Sequence, residues 1–418
     1  MTPSKRLLIV SPLFPPTNAA DLHRVRMAIP HLLKLGWSVE VLCLSPDATE
    51  LIQDDFLLRT VPMDQIRVHA VEKSFSLLRA FRVRSLWFRY GRALRKLGDI
   101  VIQEFQPDLI LFSTTQFPFF SLGPYWKQKH GVPYVLDYQD PWVSTHYQKT
   151  GTRPPGGWWK YGPMQALARR MEPTVVRESS GIIAVSPKYM EQLNDYHEGA
   201  VPTLHLPFGA PIRDLEFLNH SESTPPTIGR RWLYVGRGGE DFHPMLQMFF
   251  DHLRIHREEL IASGITIEFH GTQYHSTSFP RTPISDLAWD YHLDQIVHEY
   301  PDRIPYEKAL RLQQEADVLL LLGSTDAAYS PSKFQALLMF HRPILALAPS
   351  DSLIPAMMEH HQAGHVITPS VPKSTQENIL LQLLKGAQNI PVKPELTDES
   401  MTLKLSEFFL QVLRGTQE

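Results

Sequence analysis

Two cationic side chains in the C-terminal half of the sequence are placed for chemistry on a diphosphate. Arg237 comes directly after the apolar run Trp232–Val235, and Lys333 comes shortly after the apolar run Val318–Leu322. An arginine offers a planar fork to phosphate oxygens, and preorganised cations stabilise the negative charge that develops on a departing nucleoside diphosphate. The pair therefore predicts a metal-free site for a diphosphate leaving group.

Small residues around these cations point the same way. Glycine lets a backbone approach a ligand closely, although a tight turn needs the same residue. The run Gly236–Gly239 lacks the full G-x-G-x-x-G fingerprint because position 241 is Asp, so a nicotinamide site is not favoured. The residues predicted to bind the donor phosphates are Gly236, Arg237, Gly238, Gly239, Gly271, Ser330, Ser332 and Lys333.

The segment around Lys333 has the sequence of a helix start. Ser330 is a favourable N-cap residue and Pro331 a favourable first helical residue, which predicts Ser332 and Lys333 in the first turn. Backbone N–H groups at such an N-terminus bind anions, and a lysine there opposes the helix dipole unless an anion is bound. The alternative is an ordinary capped helix with a solvated lysine.

Nineteen histidines and one cysteine raise the question of a metal centre. His252 with His256, and His361 with His365, have the i, i+4 spacing of one helix face. Neither pair has the adjacent glutamate of H-E-x-x-H or an obvious third ligand, so we expect solvated helix histidines. Cys43 lies in an apolar run and is expected in the core. We expect no metal, and no cofactor beyond the substrate.

The segment from Lys73 to Lys96 carries basic residues without an acid and has interleaved aromatic residues. Such a helix can lie on an anionic membrane surface, or it can bury its aromatic side and leave the arginines solvated. Nucleic acid is not favoured, because 41 basic and 44 acidic residues give a net charge of −3. No apolar run approaches the ~18 residues of a spanning helix, so we expect a cytoplasmic protein, peripheral on the inner face of the membrane at most.

Continuous apolar runs alternate with helical patterns along the chain, which predicts an α/β fold with parallel sheets covered on both faces. The predicted strands are Leu7–Val10, Val39–Leu44, Leu109–Phe112, Tyr134–Leu136, Ile182–Val185, Trp232–Val235, Ile265–Phe269, Val318–Leu322 and Ile344–Leu347. The pattern restarts after a segment rich in Ser, Thr and Pro, His220–Gly229, and 418 residues exceed a single core.

We therefore predict two doubly wound, Rossmann-like domains, residues 1–205 and 206–397, facing a central cleft. A helix in residues 398–418 is expected to pack back on the first domain. Open parallel sheets bind ligands outside the carboxyl ends of their strands, so the loops that follow the apolar runs should carry the chemistry.

Several segments, in their order and spacing, resemble bacterial glycosyltransferases of the GT-B fold, specifically the family 4-like retaining enzymes. The opening LLIVSPLFPP corresponds to the first strand and acceptor-side loop, and PYVLDYQDPW is close to the "DFRDPW" variant of that family. MEPTVVRESSGIIAVS, LPFGA and ADVLLLL follow in the family's order, and SPSKFQALLMFHRPILAL resembles the donor-site signature "PSKLFEYLAAGKPILA".

The resemblance implies sugar transfer from a nucleotide-diphosphate sugar to a glycan or lipid-linked acceptor, with retention of configuration. The N-terminal domain would take the acceptor and the C-terminal domain the donor. Arg237 matches the family's phosphate-binding arginine, and Ser332 and Lys333 match its donor loop. Asp140 is predicted beside the transferring sugar as the catalytic residue. The predicted acceptor-side residues are Asn18, Ala19 and Gln139.

The sequence departs from the family at several of these positions. The donor-site glutamate is replaced by Ala336, and its partner acidic position is Ala328. Asp241, Phe242 and His243 stand where a lysine usually follows the phosphate arginine. The leading hypothesis is a transferase for cell-surface polysaccharide or glycolipid. The alternatives are a catalytically degenerate GT-B scaffold subunit and, third, a nucleotide-sugar epimerase on the same fold.

Overall fold

A computed structural model describes most of the chain, and its residues form two compact units. The described residues are 5–73, 85–144, 147–148, 151, 154, 157–197, 201–218, 230–273, 283–326, 331, 333–384, 390 and 393–416. Unit 1 comprises Met1–Gly209 together with Asp398–Glu418, and unit 2 comprises Ala210–Thr397. Each unit is built around its own parallel sheet.

Unit 1 contains a seven-stranded sheet of order β3-β2-β1-β4-β5-β6-β7, with parallel pairing throughout. Its strands are β1 (Lys5–Val10), β2 (Trp37–Leu44), β3 (Arg67–Val71), β4 (Leu109–Ser113), β5 (Tyr134–Tyr138), β6 (Gly181–Ala184) and β7 (Thr203–His205). In register, Val10 pairs with Leu42 of β2 and Phe112 of β4, so the carboxyl ends of the central strands meet at one edge.

The helices of unit 1 cover both faces of this sheet. They are α1 (His23–Lys34), α2 (Asp55–Arg59), α3 (Leu86–Phe105), α4 (Leu122–His130), α5 (Trp158–Arg177), α6 (Pro187–His197) and, at the C-terminus, α15 (Asp398–Gly415). Helix α15 belongs to unit 1 because its apolar stripe packs on the N-terminal part of the chain. Trp37 Nε1 donates to Ser406 Oγ at 2.8 Å, and the Trp37 ring meets Phe409 edge-on.

Unit 2 contains a six-stranded parallel sheet of order β10-β9-β8-β11-β12-β13. Its strands are β8 (Arg230–Val235), β9 (Ile265–His270), β10 (Val297–Tyr300), β11 (Val318–Leu322), β12 (Ile344–Leu347) and β13 (Gly364–Ile367). Its helices are α7 (Ile212–Leu218), α8 (His243–Ile255), α9 (Arg257–Ala262), α10 (Pro283–Asp290), α11 (Tyr306–Glu315), α12 (Phe334–Leu338), α13 (Leu353–His361) and α14 (Lys373–Leu384). The core between sheet and helices includes Trp232, Phe249 and Phe250, all buried.

The prediction of two Rossmann-like parallel-sheet domains is confirmed, with the nine predicted strands present. The strands that the sequence did not predict are β3, β7, β10 and β13, and each lies at an edge of its sheet. An edge strand is half-exposed, so it lacks the continuous apolar run by which an interior parallel strand is found.

The interpretation of the histidine pairs is wrong in two respects. His252 is 3% exposed and therefore not solvated. His361 is the last residue of α13, whereas His365 lies in strand β13, so these two do not share a helix face. Gln362 ends the helix in a left-handed conformation with φ of 52°, which breaks the i, i+4 pattern.

The predicted basic helix is α3, which begins at Leu86; residues 74–84 lie outside the described part. Tyr90 is buried, and Trp87 packs edge-on against Phe119, so part of the aromatic set faces the core. Phe88 is 51% exposed and lies on the outer face with the exposed Arg92. Within the described residues, no helix is both long enough and apolar enough to span a bilayer.

Candidate functional site

The strand order reverses once in each sheet, and such a switch point opens a crevice at the carboxyl ends of the strands. In unit 1 the reversal lies between β1 and β4, and in unit 2 between β8 and β11. The loops that follow these strands carry most of the residues singled out in the sequence. Each unit therefore presents a candidate site of its own.

In unit 2 the glycine-rich turn after β8 is tied to the end of β9. Gly236 N donates to His270 O at 2.9 Å, and Gly238 N donates to Thr272 O at 2.7 Å. A Cβ at Gly236 would lie 2.5 Å from Lys333 Nζ, and one at Gly238 would lie 3.0 Å from Thr272 O. The absence of a side chain at Gly236 leaves room for the Lys333 ammonium, and its absence at Gly238 leaves room for the backbone of Thr272. The turn that carries Arg237 can therefore lie close to Lys333.

Arg237 is held in this turn by a carboxylate four residues later. Its Nη1 and Nη2 donate to the two oxygens of Asp241 at 2.9 and 2.8 Å, and its guanidinium lies 4.3 Å from the centre of the Phe242 ring. Burial alone would raise the pKa of Asp241, but the hydrogen bonds and charge of Arg237 outweigh it, so the pKa is lowered. Gly239 leaves room for this contact, since a Cβ there would displace the Asp241 carboxylate or the Arg237 guanidinium.

Lys333 brings a second cation to the same turn. Its Nζ donates to Val235 O at 2.9 Å and lies 6.0 Å from the centre of the Tyr234 ring. The residue as a whole is exposed, yet its ammonium end is enclosed by these atoms. Burial, and then the charges of Arg303 and Arg237, lower the pKa of Lys333 to about 8. An ammonium that neighbouring cations repel is suited to receive an anion.

Arg303 is a third cation that the sequence did not reveal. It follows β10, an edge strand without a continuous apolar run, so no predicted strand pointed to its loop. Its Cα lies 4.0 Å from where a Cβ of Gly271 would stand. Gly271 turns the chain after β9 with φ of +72°, a left-handed conformation that glycine adopts without strain.

The predicted helix start at Ser330 and Pro331 is wrong. Helix α12 begins at Phe334, and Lys333 is its N-cap residue. The Phe334 N–H donates to Pro331 O at 3.0 Å, which makes a turn rather than the first turn of a helix. Lys333 therefore does not oppose a helix dipole from inside the first turn. Ser330 and Ser332 lie outside the described residues, as does Ala328.

Helix α12 also shows what replaces the donor-site glutamate. Ala336 is half-buried and has no side-chain oxygen, and the neighbouring Gln335 is 5% exposed. A buried amide on the core side of the helix does not substitute for a carboxylate at position 336. The carboxylate expected from the family resemblance is thus missing from this helix.

In unit 1 a buried carboxylate organises the crevice between β1 and β4. Asp21 Oδ2 accepts from Thr114 Oγ1 at 2.8 Å, from Thr115 N at 2.9 Å and from Thr115 Oγ1 at 3.2 Å. Burial raises the pKa of Asp21 despite these hydrogen bonds. Asp21 could not be predicted from the sequence, because its partners lie more than 90 residues away. Asn18 is half-buried and Ala19 buried in the loop before it.

Gln139 and Asp140 follow β5 and differ in their surroundings. The Gln139 amide is 8% exposed and donates to Asp21 O, Ser113 Oγ and Asp137 Oδ2 at 3.0, 3.0 and 3.1 Å. The Gln139 side chain therefore links the ends of β4 and β5 to the loop after β1 by hydrogen bonds within unit 1. Asp140 is exposed at the carboxyl edge of the sheet, where a predicted acceptor contact requires it.

Helix α5 holds the loop that carries Asp140. Gln165 Oε1 accepts from Ser144 N at 3.0 Å, and Gln165 Nε2 donates to Trp142 O at 3.1 Å. Tyr161 Oη donates to Ser144 O at 2.8 Å. Glu172, two turns further along the same face, accepts from the backbone N–H of Val143. These helix residues were not predicted, although their i, i+4, i+11 spacing marks one face.

Glu172 is a buried acid without a cationic partner in its described surroundings. It is 2% exposed, and burial raises its pKa to about 7. The hydroxyl of Tyr196 hydrogen-bonds to the carboxylate, and the Tyr138 hydroxyl, which lacks a well-aligned partner, lies close enough to lower its pKa as well. The acid couples the loop after β5 to helices α5 and α6.

The described residues contain no group of three or more His, Cys, Asp or Glu side chains arranged to hold a metal ion. Cys43 is 3% exposed, and burial, followed by the charge of Glu72, raises its pKa to about 12. The prediction of a core cysteine is confirmed.

Comparison with known proteins supports the fold. Residues 23–209 match the family model described as Glycosyl transferase 4-like domain. The solved sucrose-phosphate synthase from Thermosynechococcus elongatus is 15% identical with a TM-score of 0.65, and the match covers 98% of this chain and 100% of that one. WaaG, a glycosyltransferase involved in lipopolysaccharide biosynthesis, is 11% identical with a TM-score of 0.51, covering 96% and 94%.

The chain thus has the GT-B fold, and its residues 23–209 match the glycosyl transferase 4-like domain, as the resemblance predicted. No curated protein matches the sequence. A putative UDP-N-acetylglucosamine 2-epimerase from Listeria monocytogenes is similar in fold, with 13% identity, a TM-score of 0.55 and coverage of 97% and 95%. Because one fold carries different reactions, the site residues and not the fold determine the reaction.

Proposed function

We propose that the protein is a retaining glycosyltransferase that moves a sugar from a nucleotide-diphosphate sugar to a glycan or lipid-linked acceptor in cell-surface polysaccharide synthesis. One observation carries the proposal: the loops after β8, β10 and β11 of unit 2 bring Arg237, Arg303 and Lys333 close enough that burial, and then the charges of the two arginines, lower the pKa of Lys333. Such a cluster stabilises a diphosphate, and most of all the charge that develops as it departs.

In this proposal the cations neutralise the charge of the diphosphate, as a metal ion does in other diphosphate sites. Lys333 supplies a compact charge whose Nζ is fixed by Val235 O, and Arg237 supplies a planar fork. We therefore propose that the only small molecules required are the donor and the acceptor, with no resident cofactor. Gly236, Gly238 and Gly239 contribute by allowing this close arrangement.

On unit 1 we propose that Asp140 orients the acceptor hydroxyl. In a front-side retaining reaction the bond from the anomeric carbon to the phosphate oxygen breaks as the acceptor oxygen bonds on the same face. The acceptor proton then passes to the leaving phosphate, so no protein nucleophile is needed. The hydrogen bonds of the Gln165 side chain to Trp142 O and Ser144 N keep the Asp140 loop in place for this step.

Calorimetry with UDP-, GDP-, dTDP- and ADP-sugars tests the proposal. We expect one donor to bind, with binding lost in Arg237→Ala and Lys333→Ala and retained in Lys308→Ala, a matched control because Lys308 is exposed on α11 of the same unit. Slow hydrolysis of the bound donor would demonstrate catalysis. Absence of binding across the panel would contradict the transferase and favour a scaffold protein, which the loss of the glutamate at Ala336 also suits.

We further propose that the protein works in the cytoplasm on the inner membrane face through α3. Arg92 and Lys96 lie one turn apart on its exposed face, flanked by Phe88 and Ile100, which are 51% and 52% exposed. Cations beside exposed apolar side chains suit an anionic bilayer. Flotation with anionic liposomes should fall in Arg92→Glu/Lys96→Glu, while Lys308→Glu should float like the wild type. Equal flotation of all variants would reject the membrane contact.

A further inference from the structure

Asp241 occupies the part of Arg237 that phosphate recognition uses. A guanidinium binds a phosphate or a carboxylate in the same way, through two parallel N–H···O bonds. In unit 2 both bonds of the Nη1/Nη2 fork go to Asp241, at 2.9 and 2.8 Å. The chain thus places its own carboxylate where a phosphate group would meet the arginine.

The local backbone conformation positions the Arg237 and Asp241 side chains for this contact. A short 3-10 helix, Glu240–Phe242, returns the chain so that Asp241 faces Arg237, and Gly239 has no side chain to obstruct it. The backbone carbonyl of Asp241 accepts from Thr325 N at 3.1 Å, which ties the segment to the loop after β11. The Arg237 and Asp241 side chains are only 32% and 20% exposed.

The carboxylate adds a negative charge to a site whose other members are cationic. Any phosphate group that enters must either displace Asp241 from Arg237 or bind beside it, and in both cases the cost rises with the charge of the ligand. The diphosphate of a nucleotide sugar is esterified at both ends and carries about two negative charges, whereas the released nucleoside diphosphate has a terminal phosphate that ionises again near neutral pH. The two ligands therefore differ in negative charge, and the Asp241 carboxylate repels the more highly charged one more strongly.

We propose that Asp241 is a specificity-determining residue of the diphosphate site, one that disfavours the more highly charged nucleoside diphosphate relative to the sugar-capped donor. The inference rests on the proposed function, because it concerns the same diphosphate site. Its consequence is weaker retention of the product: after transfer, the terminal phosphate gains charge and Asp241 competes with it for Arg237.

The test compares two ligands on matched variants by calorimetry. The probes are UDP, GDP, dTDP and ADP, each paired with its glucose ester, and the proteins are the full-length wild type, Asp241→Asn and Asp251→Asn. Asp251 is 57% exposed on α8 and serves as the control. We expect Asp241→Asn to tighten binding of the nucleoside diphosphate on the order of ten-fold and of its sugar ester several-fold less. Circular dichroism of each variant confirms that it is folded.

Failure of this inference is distinguishable from failure of the proposed function. If the wild type binds a donor but Asp241→Asn leaves the affinity ratio of the two ligands unchanged, or weakens both, the role of Asp241 is overturned while the diphosphate site stands. If neither wild type nor Asp241→Asn binds any probe, both proposals fall. Binding that appears only in Asp241→Asn, and more strongly for the nucleoside diphosphate, supports the competition directly.

Discussion

The guanidinium of Arg24 in α1 and the carboxylate of Asp137 in β5 form an ion pair of 2.8 Å between two side chains with no exposed surface. Ser113 Oγ and Gln139 Nε2 also donate to Asp137 Oδ2, and Arg24 Nη2 donates to Leu206 O at 2.6 Å. The pair joins a helix, the end of the central strands and the segment that leaves the sheet. It therefore fixes the crevice of unit 1 on which the proposed acceptor site depends.

Removal of one member of this pair should destabilise unit 1 strongly, since the remaining charge stays buried without its partner. We expect Asp137→Ala or Arg24→Ala to lower the free energy of unfolding by about 3–5 kcal/mol, measured by urea denaturation followed by circular dichroism. The double variant Arg24→Met/Asp137→Leu should lose less than either single variant. If the free energy of unfolding falls by less than about 1 kcal/mol in the single variants, the pair contributes little to stability.

Lys333 makes binding of a diphosphate depend on pH. Its pKa of about 8 lies below the usual value of lysine, so in the ligand-free protein the ammonium loses its proton as pH rises through about 8. Binding should therefore weaken above pH 8 and approach a ten-fold loss per pH unit. Lys333→Arg, whose guanidinium stays charged, should remove this pH dependence.

Calorimetry of UDP binding between about pH 7 and pH 9 measures the effect, and Lys308→Arg is the control. The difference in binding enthalpy between two buffers of different ionisation heat gives the number of protons taken up on binding. An affinity that is independent of pH in the wild type would mean that Lys333 keeps its proton throughout, or that it does not contact the ligand.

Gly236 tests whether the close packing of the phosphate site matters. In Gly236→Ala the new Cβ would lie 2.5 Å from Lys333 Nζ and 2.6 Å from Tyr234 Oη, so the ammonium must move away. We expect nucleotide binding to weaken roughly ten-fold or more while the fold persists, because the flexible end of a lysine can yield. Gly162→Ala, where nothing lies within 4 Å, should leave binding unchanged and stabilise the fold slightly, because Gly162 lies inside α5. Equal binding in both variants would argue against a role for the position of Lys333.

The sequence predicted the interior of each sheet but not the charged pairs at the strand ends. An interior parallel strand is apolar at every position, so it is visible in one short run such as Val318–Leu322. Arg24 and Asp137 are 113 residues apart, and nothing local indicates that an arginine within the stripe of α1 turns inward to meet a strand. Asp21 was missed for the same reason, and Arg303 was missed because it follows the edge strand β10, which has no continuous apolar run.

Local signals also failed where a loop replaced a regular element. Ser330 and Pro331 have the residue types of a helix start, but α12 begins only at Phe334, whose N–H donates to Pro331 O. Propensity alone does not decide such a boundary, because the position of Lys333 Nζ against Val235 O, nearly 100 residues away, constrains the segment as well. Arg237 and Lys333 nevertheless came together as their positions after β8 and β11 required.

Glu172 should make the stability of unit 1 depend on pH in a direction opposite to that of most acids. Burial raises its pKa to about 7 in the folded chain, above its usual value of 4.5. Between these two values the unfolded chain releases a proton that the folded chain keeps, so the free energy of unfolding falls as pH rises from about 4.5 to about 7, by about 1–3 kcal/mol. Below this window both states are protonated, and above it both are ionised.

Glu172→Gln keeps the shape of the side chain without the charge, so it should remove this decline and raise stability at pH 8 relative to the wild type. Urea unfolding at a series of pH values measures the effect, with Glu191→Gln as the control because Glu191 is exposed on the neighbouring α6. Hydrogen exchange of the amides of Val143 and Ser144 shows whether the loop held by Gln165 and Glu172 loosens as the acid ionises. If the wild type and Glu172→Gln have the same pH profile, Glu172 does not ionise within the window, and the loop that carries Asp140 is held independently of pH.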